Sequence, residues 1–237
     1  MKKRNCLTFL LLFAVPEFIA AQTAFTAITD PNNPVVTFSH QGFYKGAAWV
    51  DFDNDGDVDL FAAPRFLFRN DGNTTFTQLT TVIGNASAQF PAGCSWADLD
   101  NDGNIDCILA NYPTGLYKNA GNSTFLNLSS QIDSLTNYAS WGCAIGNMNN
   151  DALLDLFYAH AAGFHPNAPA RPSRFIKSNG TGFTGTALSG YTLSDSLKPF
   201  TVPYWSDYDM DGDMDLFVAS GPGGTPGPDF CYRNMKI

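Results

Sequence analysis

The sequence is poor in several things that enzymes and membrane proteins depend on. It holds a single glutamate, Glu17, in 237 residues. Its three histidines, His40, His160 and His165, stand in no Ser/His/Asp or metal-ligand spacing. Outside the Asp-rich segments described below, the only other aspartates are Asp30, Asp71, Asp133, Asp195 and Asp229. That leaves little material for general acid–base or nucleophilic catalysis, so no catalytic residue is expected. Basic residues are also scarce. Lys and Arg total 13 against 22 Asp and Glu, for a net charge of −9. Such a balance argues against nucleic acid or an anionic membrane as partner. No apolar run past the N-terminus is long enough to span a bilayer, so no transmembrane anchor is expected. Helical periodicity is absent beyond the N-terminus, which points away from helical folds. Cysteines are few: beyond Cys6 there are Cys94, Cys107, Cys143 and Cys231. Four cysteines allow three pairings, and they are too sparse for a disulfide-built scaffold, so bridges and buried free thiols both stay open.

What is present begins at the N-terminus. Met-Lys-Lys-Arg precedes an apolar run, Leu7 to Val15, and Ile19-Ala20-Ala21 follows before Gln22. A basic start, a short apolar centre and small residues at the end predict a signal peptide over 1–21, cleaved after Ala21. The run is too short for a membrane anchor. The expected location is therefore secreted, extracellular or cell-surface, with residues 22–237 as the mature chain.

One nine-residue segment recurs. Asp51-Phe-Asp-Asn-Asp-Gly-Asp-Val-Asp59 returns as Asp98-Leu-Asp-Asn-Asp-Gly-Asn-Ile-Asp106 and as Asp207-Tyr-Asp-Met-Asp-Gly-Asp-Met-Asp215. A weaker copy is Asn147-Met-Asn-Asn-Asp-Ala-Leu-Leu-Asp155. Two residues before each segment lies Trp49, Trp96, Ile145 or Trp205, and an apolar stretch follows each one. A third element comes later: Phe66–Asn70, Leu116–Asn119, Phe175–Ser178 and Phe230–Asn234. The first three continue through a Gly-containing turn into Phe76, Phe125 and Phe183. Short apolar runs separated by turn residues predict four strands per unit. A repeat of this length with four strands predicts an all-β chain of about four four-stranded propeller blades, a partial or truncated ring, with blades starting near 46, 93, 142 and 202. The tryptophans are expected in the core between blades. The fourth unit stops before a last strand. Either Val35–His40 supplies that strand and closes a four-bladed ring against Phe230–Arg233, or the chain is a piece of a larger propeller.

The segments suit calcium. Calcium takes six to eight oxygens, and alternate side chains of a tight loop can converge on one point. In the first copy these are Asp51, Asp53 and Asp55. Gly56 then permits a positive-φ turn, the backbone of Asp57 offers a carbonyl, and Asp59 closes the site. The matching sets are Asp98, Asp100, Asp102, Asn104 and Asp106, and Asp207, Asp209, Asp211, Asp213 and Asp215. The weaker set is Asn147, Asn149, Asp151 and Asp155, with fewer charges and with Ala152 at the turn. An EF-hand is excluded because its twelfth position needs a bidentate acid, and here that position is Ala62, Leu109 or Val218. Zinc is excluded by the lack of Cys or His ligands.

The motif Asp-x-Asp-x-Asp-Gly-x-x-Asp followed by apolar residues, as in Asp51–Phe61, resembles the FG-GAP/VCBS repeat family. That family shares its calcium loops with the integrin α-chain β-propeller. The resemblance runs from about Val35 to Asn234. It implies a secreted calcium-binding β-propeller acting in adhesion or in binding a carbohydrate or protein ligand, with calcium structural; the alternative it implies is a calcium-dependent polysaccharide lyase on the same fold. Connections between second and third strands lie opposite the calcium loops and are the expected ligand face, with Tyr112, His160, Phe164, His165 and Arg171.

Overall fold

A computed structural model describes residues 25–39, 46–62, 65–79, 83, 93–135, 139–160, 171–186, 199–221 and 227–235. The expected signal peptide, His40, Phe164 and His165 lie outside the described residues. The fold is all-β. Among the described residues, fifteen strands form four antiparallel sheets, one after another along the chain. The first sheet holds β1 (Ala47–Val50), β2 (Asp59–Ala62), β3 (Phe66–Asn70) and β4 (Phe76–Gln78). The second holds β5 (Cys94–Ala97), β6 (Asp106–Leu109), β7 (Gly115–Asn119) and β8 (Phe125–Asn127). The third holds β9 (Ser140–Gly146), β10 (Asp155–His160), β11 (Arg174–Ser178) and β12 (Phe183–Thr186). The fourth holds β13 (Phe200–Ser206), β14 (Asp215–Ser220) and β15 (Phe230–Tyr232). In every sheet neighbours in sequence are neighbours in space, as short turns dictate. No helix among the described residues is long and apolar enough to cross a membrane.

Apolar faces of successive sheets cover one another at three junctions. Phe52, Phe61 and Leu67 of the first sheet pack with Cys107, Leu109 and Tyr117 of the second. Ile108 and Leu116 of the second meet Leu156, Tyr158 and Ile176 of the third. Phe157 and Ala159 of the third meet Leu216 and Val218 of the fourth. Burial of a side chain such as Phe61 is worth about 2–3 kcal/mol, so the junctions between sheets, more than the sheets alone, hold the fold. The first strands β5, β9 and β13 run side by side and line one open groove of about 660 Å³. Glycine allows this approach: a Cβ on Gly142 would collide with the Thr201 carbonyl oxygen, and one on Gly146 would sit 2.8 Å from the Trp205 ring.

Three sequence expectations change here. Of the stretch Val35–His40, the described residues 35–39 do not form a last strand. Pro34–Thr37 forms a single helical turn, α1, because Asn33 caps it by accepting the Val35 N–H at 3.0 Å and Pro34 sits at its first position. Asn33 also donates to the Thr74 carbonyl at 2.7 Å, and Phe38 packs on Phe66 and Phe68. This segment therefore covers part of the first sheet, while the fourth sheet has three strands among the described residues. Second, Trp96 and Trp205 are partly buried between sheets, but Trp49 is 63% exposed on the outward face of the first sheet. Third, His160 ends strand β10 with 1% exposure, so it belongs to the interior and not to an exposed ligand face. The four cysteines are free thiols: Cys107 and Cys143 are buried, Cys94 is half-buried and Cys231 is exposed.

Candidate metal centre

Each Asp-rich loop joins the first and second strands of its sheet, at Asp51–Val58, Asp98–Ile105, Asn147–Leu154 and Asp207–Met214. Two backbone reversals shape it. The fourth residue has positive φ in all copies: Asn54 at 61°, Asn101 at 58°, Asn150 at 58° and Met210 at 59°. The sixth does too: Gly56 at 93°, Gly103 at 88°, Gly212 at 92° and Ala152 at 66°. Asparagine and glycine tolerate this region, whereas Met210 and Ala152 are each strained by roughly 1–2 kcal/mol.

The acids then divide by role. The first residue organises the turn: Asp51 accepts the Gly56 N–H at 3.1 Å, Asp98 the Gly103 N–H at 2.9 Å, and Asp207 the Gly212 N–H at 3.0 Å. The fifth closes a small ring, with Asp55, Asp102, Asp151 and Asp211 each accepting the N–H two residues on. The ninth ties the loop to its sheet. Asp59 accepts the Phe52 N–H at 3.1 Å and the Asn70 N–H at 2.8 Å. Asp106 does the same for Leu99 and Asn119 at 2.9 and 2.8 Å, Asp155 for Met148 and Ser178 at 3.1 and 2.8 Å, and Asp215 for Tyr208 and Asn234 at 3.2 and 2.7 Å. Each of these aspartates therefore staples a loop to the end of the third strand.

Three carboxylate groups converge. Asp51, Asp53 and Asp59 each place an oxygen within 4.8 Å of the others; so do Asp98, Asp100 and Asp106, and Asp207, Asp209 and Asp215. The third loop brings together no such group among the described residues. Asp51 Oδ1, Asp53 Oδ1 and Asp209 Oδ1 are buried and accept no hydrogen bond. Buried acceptors without donors are costly, and a hard cation satisfies them. The donor set, all oxygen and rich in charge, fits calcium. Asp55, Asp102 and Asp211 are outside the three groups, as are Asp57, Asn104 and Asp213 at the seventh position, whose backbone carbonyls were the expected contribution.

Crowding is visible in the acidities. Burial pushes the Asp59 and Asp106 carboxyls up to about 6 against the pull of their backbone donors. Burial and then the Asp55 charge raise Asp53, and burial raises Asp155. Basic side chains from the end of the third strand answer part of this charge. Lys118 pairs with Asp100 and with Asp102 at 3.0 Å, and Arg233 with Asp209 at 2.6 Å and Asp211 at 3.0 Å. Lys177 reaches Asp151 at 3.5 Å. Arg69, at the same place in the first repeat, turns to Asp71 at 2.7 Å instead. Sequence reasoning passed over these cations. The signal was an Arg or Lys before the final Asn or Ser of every third element.

The loops also touch across sheets. Asn119 of the second sheet donates to the Phe52 carbonyl in the first loop at 2.7 Å, and Asn234 of the fourth donates to Met148 in the third loop at 3.0 Å. Asn54 and Asn150 reach forward to Gly103 and Asp213 at 3.0 and 2.7 Å.

This geometry repeats at the spacing of a known repeat. The family model for the FG-GAP-like repeat matches residues 63–109 and 98–158. Residues 63–158 are thus similar to FG-GAP-like repeats. The loops at 51–59 and 207–215 lie outside the matched residues and share the carboxylate geometry of the FG-GAP-like loop at 98–106. No curated protein matches the chain. Among solved structures, it is similar to an Agrocybe aegerita lectin described as recognising non-reducing terminal N-acetylglucosamine. The identity is 18% and the TM-score 0.46, over 78% of this chain and 51% of the lectin chain. The chain thus spans about half the length of that lectin.

Proposed function

We propose that this chain is a secreted calcium-binding β-propeller module that binds an extracellular glycan or protein, with calcium serving the scaffold. The observation that carries the calcium reading is the convergence of three carboxylate groups, those of the first and fourth loops holding buried oxygens that accept no hydrogen bond. Asp51, Asp53 and Asp59, Asp98, Asp100 and Asp106, and Asp207, Asp209 and Asp215 would hold the ions. Asp55, Asp102, Asp211 and the carbonyls of Asp57, Asn104 and Asp213 would complete the shells. Asn147, Asn149, Asp151 and Asp155 form the weakest set, since fewer charges mean weaker binding. The ion would neutralise clustered carboxylates, and acids of the loops also hold backbone. The propeller reading is supported by antiparallel sheets in series, three of them four-stranded, with the first strands of the second, third and fourth lining a common groove. Export is supported by the pattern of residues 1–21 and would leave Gln22 as the mature N-terminus. Sequencing that terminus on exported protein checks it.

Extracellular calcium modules bind with Kd near 0.1–1 mM. At about 1 mM calcium, a site at the tighter end adds on the order of 1.4 kcal/mol. Three such sites raise the melting temperature of a domain this size by on the order of 10 °C. A calcium titration by calorimetry, with melting curves in calcium and in chelator, is the test. A melting curve unmoved by chelator would overturn the structural role. The ligand face would be the second-to-third strand connections, where Tyr112 and Arg171 are half-buried. A glycan array on wild type and Tyr112→Ala tests it, and equal binding by both removes Tyr112 from the site.

A further inference from the structure

One buried side chain ties the first Asp-rich loop to the acids of the second. Asn119, the last residue of β7, has 0% exposure. Its N–H donates to Asp106 Oδ1 at 2.8 Å, within the second carboxylate group. Its side-chain amide donates to the Phe52 carbonyl of the first loop at 2.7 Å and to the Ile105 carbonyl at 3.2 Å. Its Oδ1 accepts the Gly121 N–H at 3.0 Å, which fixes the direction of the amide. Phe52, also at 0%, lies between Asp51 and Asp53, and its N–H donates to Asp59 Oδ2 at 3.1 Å. A buried path of hydrogen bonds thus joins Asp106 of the second group to Asp59 of the first, through Asn119 and the peptides on either side of Phe52. Asn54 adds a second link, donating to the Gly103 carbonyl at 3.0 Å and to Asn104 Oδ1 at 3.2 Å.

The junction between the second and third sheets lacks this device. Ser178 takes the place of Asn119. Its N–H donates to Asp155 at 2.8 Å, but its side chain is shorter, carries no amide, and accepts the Gly180 N–H at 3.3 Å within its own turn. Leu153 stands where Asn104 and Asp213 offer a side-chain oxygen, so Asn101, in the place of Asn54, has no such acceptor to meet. The device returns between the third and fourth sheets. There Asn234 donates to the Met148 and Met214 carbonyls at 3.0 and 3.3 Å, and Asn150 donates to Asp213 Oδ1 at 2.7 Å. The loop it ties to the fourth is the third, which brings no three carboxylates together among the described residues.

We infer that Asn119 joins the first and second ion sites into one cooperative pair, in which an ion at either site tightens binding at the other, while the fourth site binds on its own. The inference rests on the calcium reading above. Asn119 is a positioning residue: it acts through Asp106 and the Phe52 peptides. An ion held by Asp98, Asp100 and Asp106 fixes Asp106, and with it the Asn119 backbone that donates to it. The Asn119 amide then fixes the Phe52 carbonyl, and so the placing of Asp51 and Asp53 on either side. Part of the ordering that the first site requires is already complete when the second is filled. Linkage makes the effect equal in both directions. Because the path is buried, water does not compete for its bonds, and each bond holds its neighbours more firmly than a surface contact would.

Calorimetric titration of the full chain with calcium tests this, with the fourth site silenced by Asp207→Asn and Asp209→Asn. Two ions should bind with a Hill coefficient above one. Adding Asp98→Asn and Asp100→Asn leaves Asp106 and Asn119 in place and should weaken the first site about five-fold; Asp51→Asn with Asp53→Asn should weaken the second by the same factor. Asn119→Ser, which copies Ser178, should bring the Hill coefficient to one and abolish both effects. Weakening that persists in Asn119→Ser is simple loss of charge and overturns the role of Asn119. Loss of a buried asparagine also costs stability, so hydrogen exchange on chains that keep Asn119 and the fourth site gives a second readout. Once the second site is silenced, protection of residues 51–59 should need about five times more calcium, and protection of residues 207–215 should not change. A change at 207–215 overturns the independence of the fourth site. Ions that bind independently, or that weaken one another, overturn the coupling and leave the calcium reading standing; no binding by the intact chain overturns both.

Discussion

The second and third loops differ in what they have kept. Both reverse the chain at their fourth and sixth residues, and both staple it to the sheet through the ninth, Asp106 or Asp155. Only the second brings three carboxylates together. The third has Asn147 and Asn149 where the second has Asp98 and Asp100, and Ala152 where the second has Gly103. Its fold nevertheless survives: β9 pairs with β10 over six registered residues. The loop therefore combines two separable devices. Positive φ and the backbone bonds of the ninth aspartate build the turn and survive alone in the third loop, and the first and third acids, joined by the ninth, gather charge for an ion.

The largest way to break this comparison is to remove the staple. Asp106→Ala strands two buried N–H groups and should cost about 3 kcal/mol in chelator, and more in calcium because Asp106 is also one of the three converging carboxylates. Chemical denaturation in both conditions reads it. Next comes an exchange of identities. Asp98→Asn with Asp100→Asn should make the second loop behave as the third, costing about 1.4 kcal/mol in millimolar calcium and little in chelator. A smaller gain of about 1 kcal/mol is expected from Ala152→Gly, independent of calcium, because it relieves a positive φ of 66°. Lys118→Met removes a cation that pairs with Asp100 and Asp102. It should tighten calcium at the second loop about two- to five-fold by calorimetry, and the equivalent change at Arg69 should do less. The pH effect is the smallest and is visible in chelator alone. The folded Asp59 and Asp106 carboxyls lie above their ordinary 3.8, near 6, so the folded chain binds protons more tightly than the unfolded one. Their contribution is fully present below about 4 and is lost as pH rises through about 6. The metal-free protein should therefore melt higher at pH 5 than at pH 7 as far as these two groups act, and calcium should narrow the gap.

Much of this was legible in the residues themselves. Alternating aspartates and a following glycine announce a loop that reverses and gathers charge, and the apolar runs on either side announce strands. What escaped depends on distance across the fold. Lys118 and Arg233 lie far along the chain from the acids they meet, so only the sheet brings them together. Met210 occupies a left-handed position that methionine gives no hint of. Val35-Val-Thr-Phe has strand-like composition, yet Asn33 and Pro34 set a helical turn before it can extend. Trp49 reads like Trp96 and Trp205, but its fate depends on whether a sheet precedes it. His160 reads as part of a loop because the strand β10 runs to it without an apolar residue to mark the end.

The staple at the ninth position bears on how such a chain can change over time. Asp155 holds its sheet without carboxylates at the first and third positions of its loop, so substitutions that erode those positions leave the architecture standing. A repeat in that condition is a spare socket: it can drift, accept new side chains on its rim, or regain its charges, while adjoining repeats keep the molecule folded.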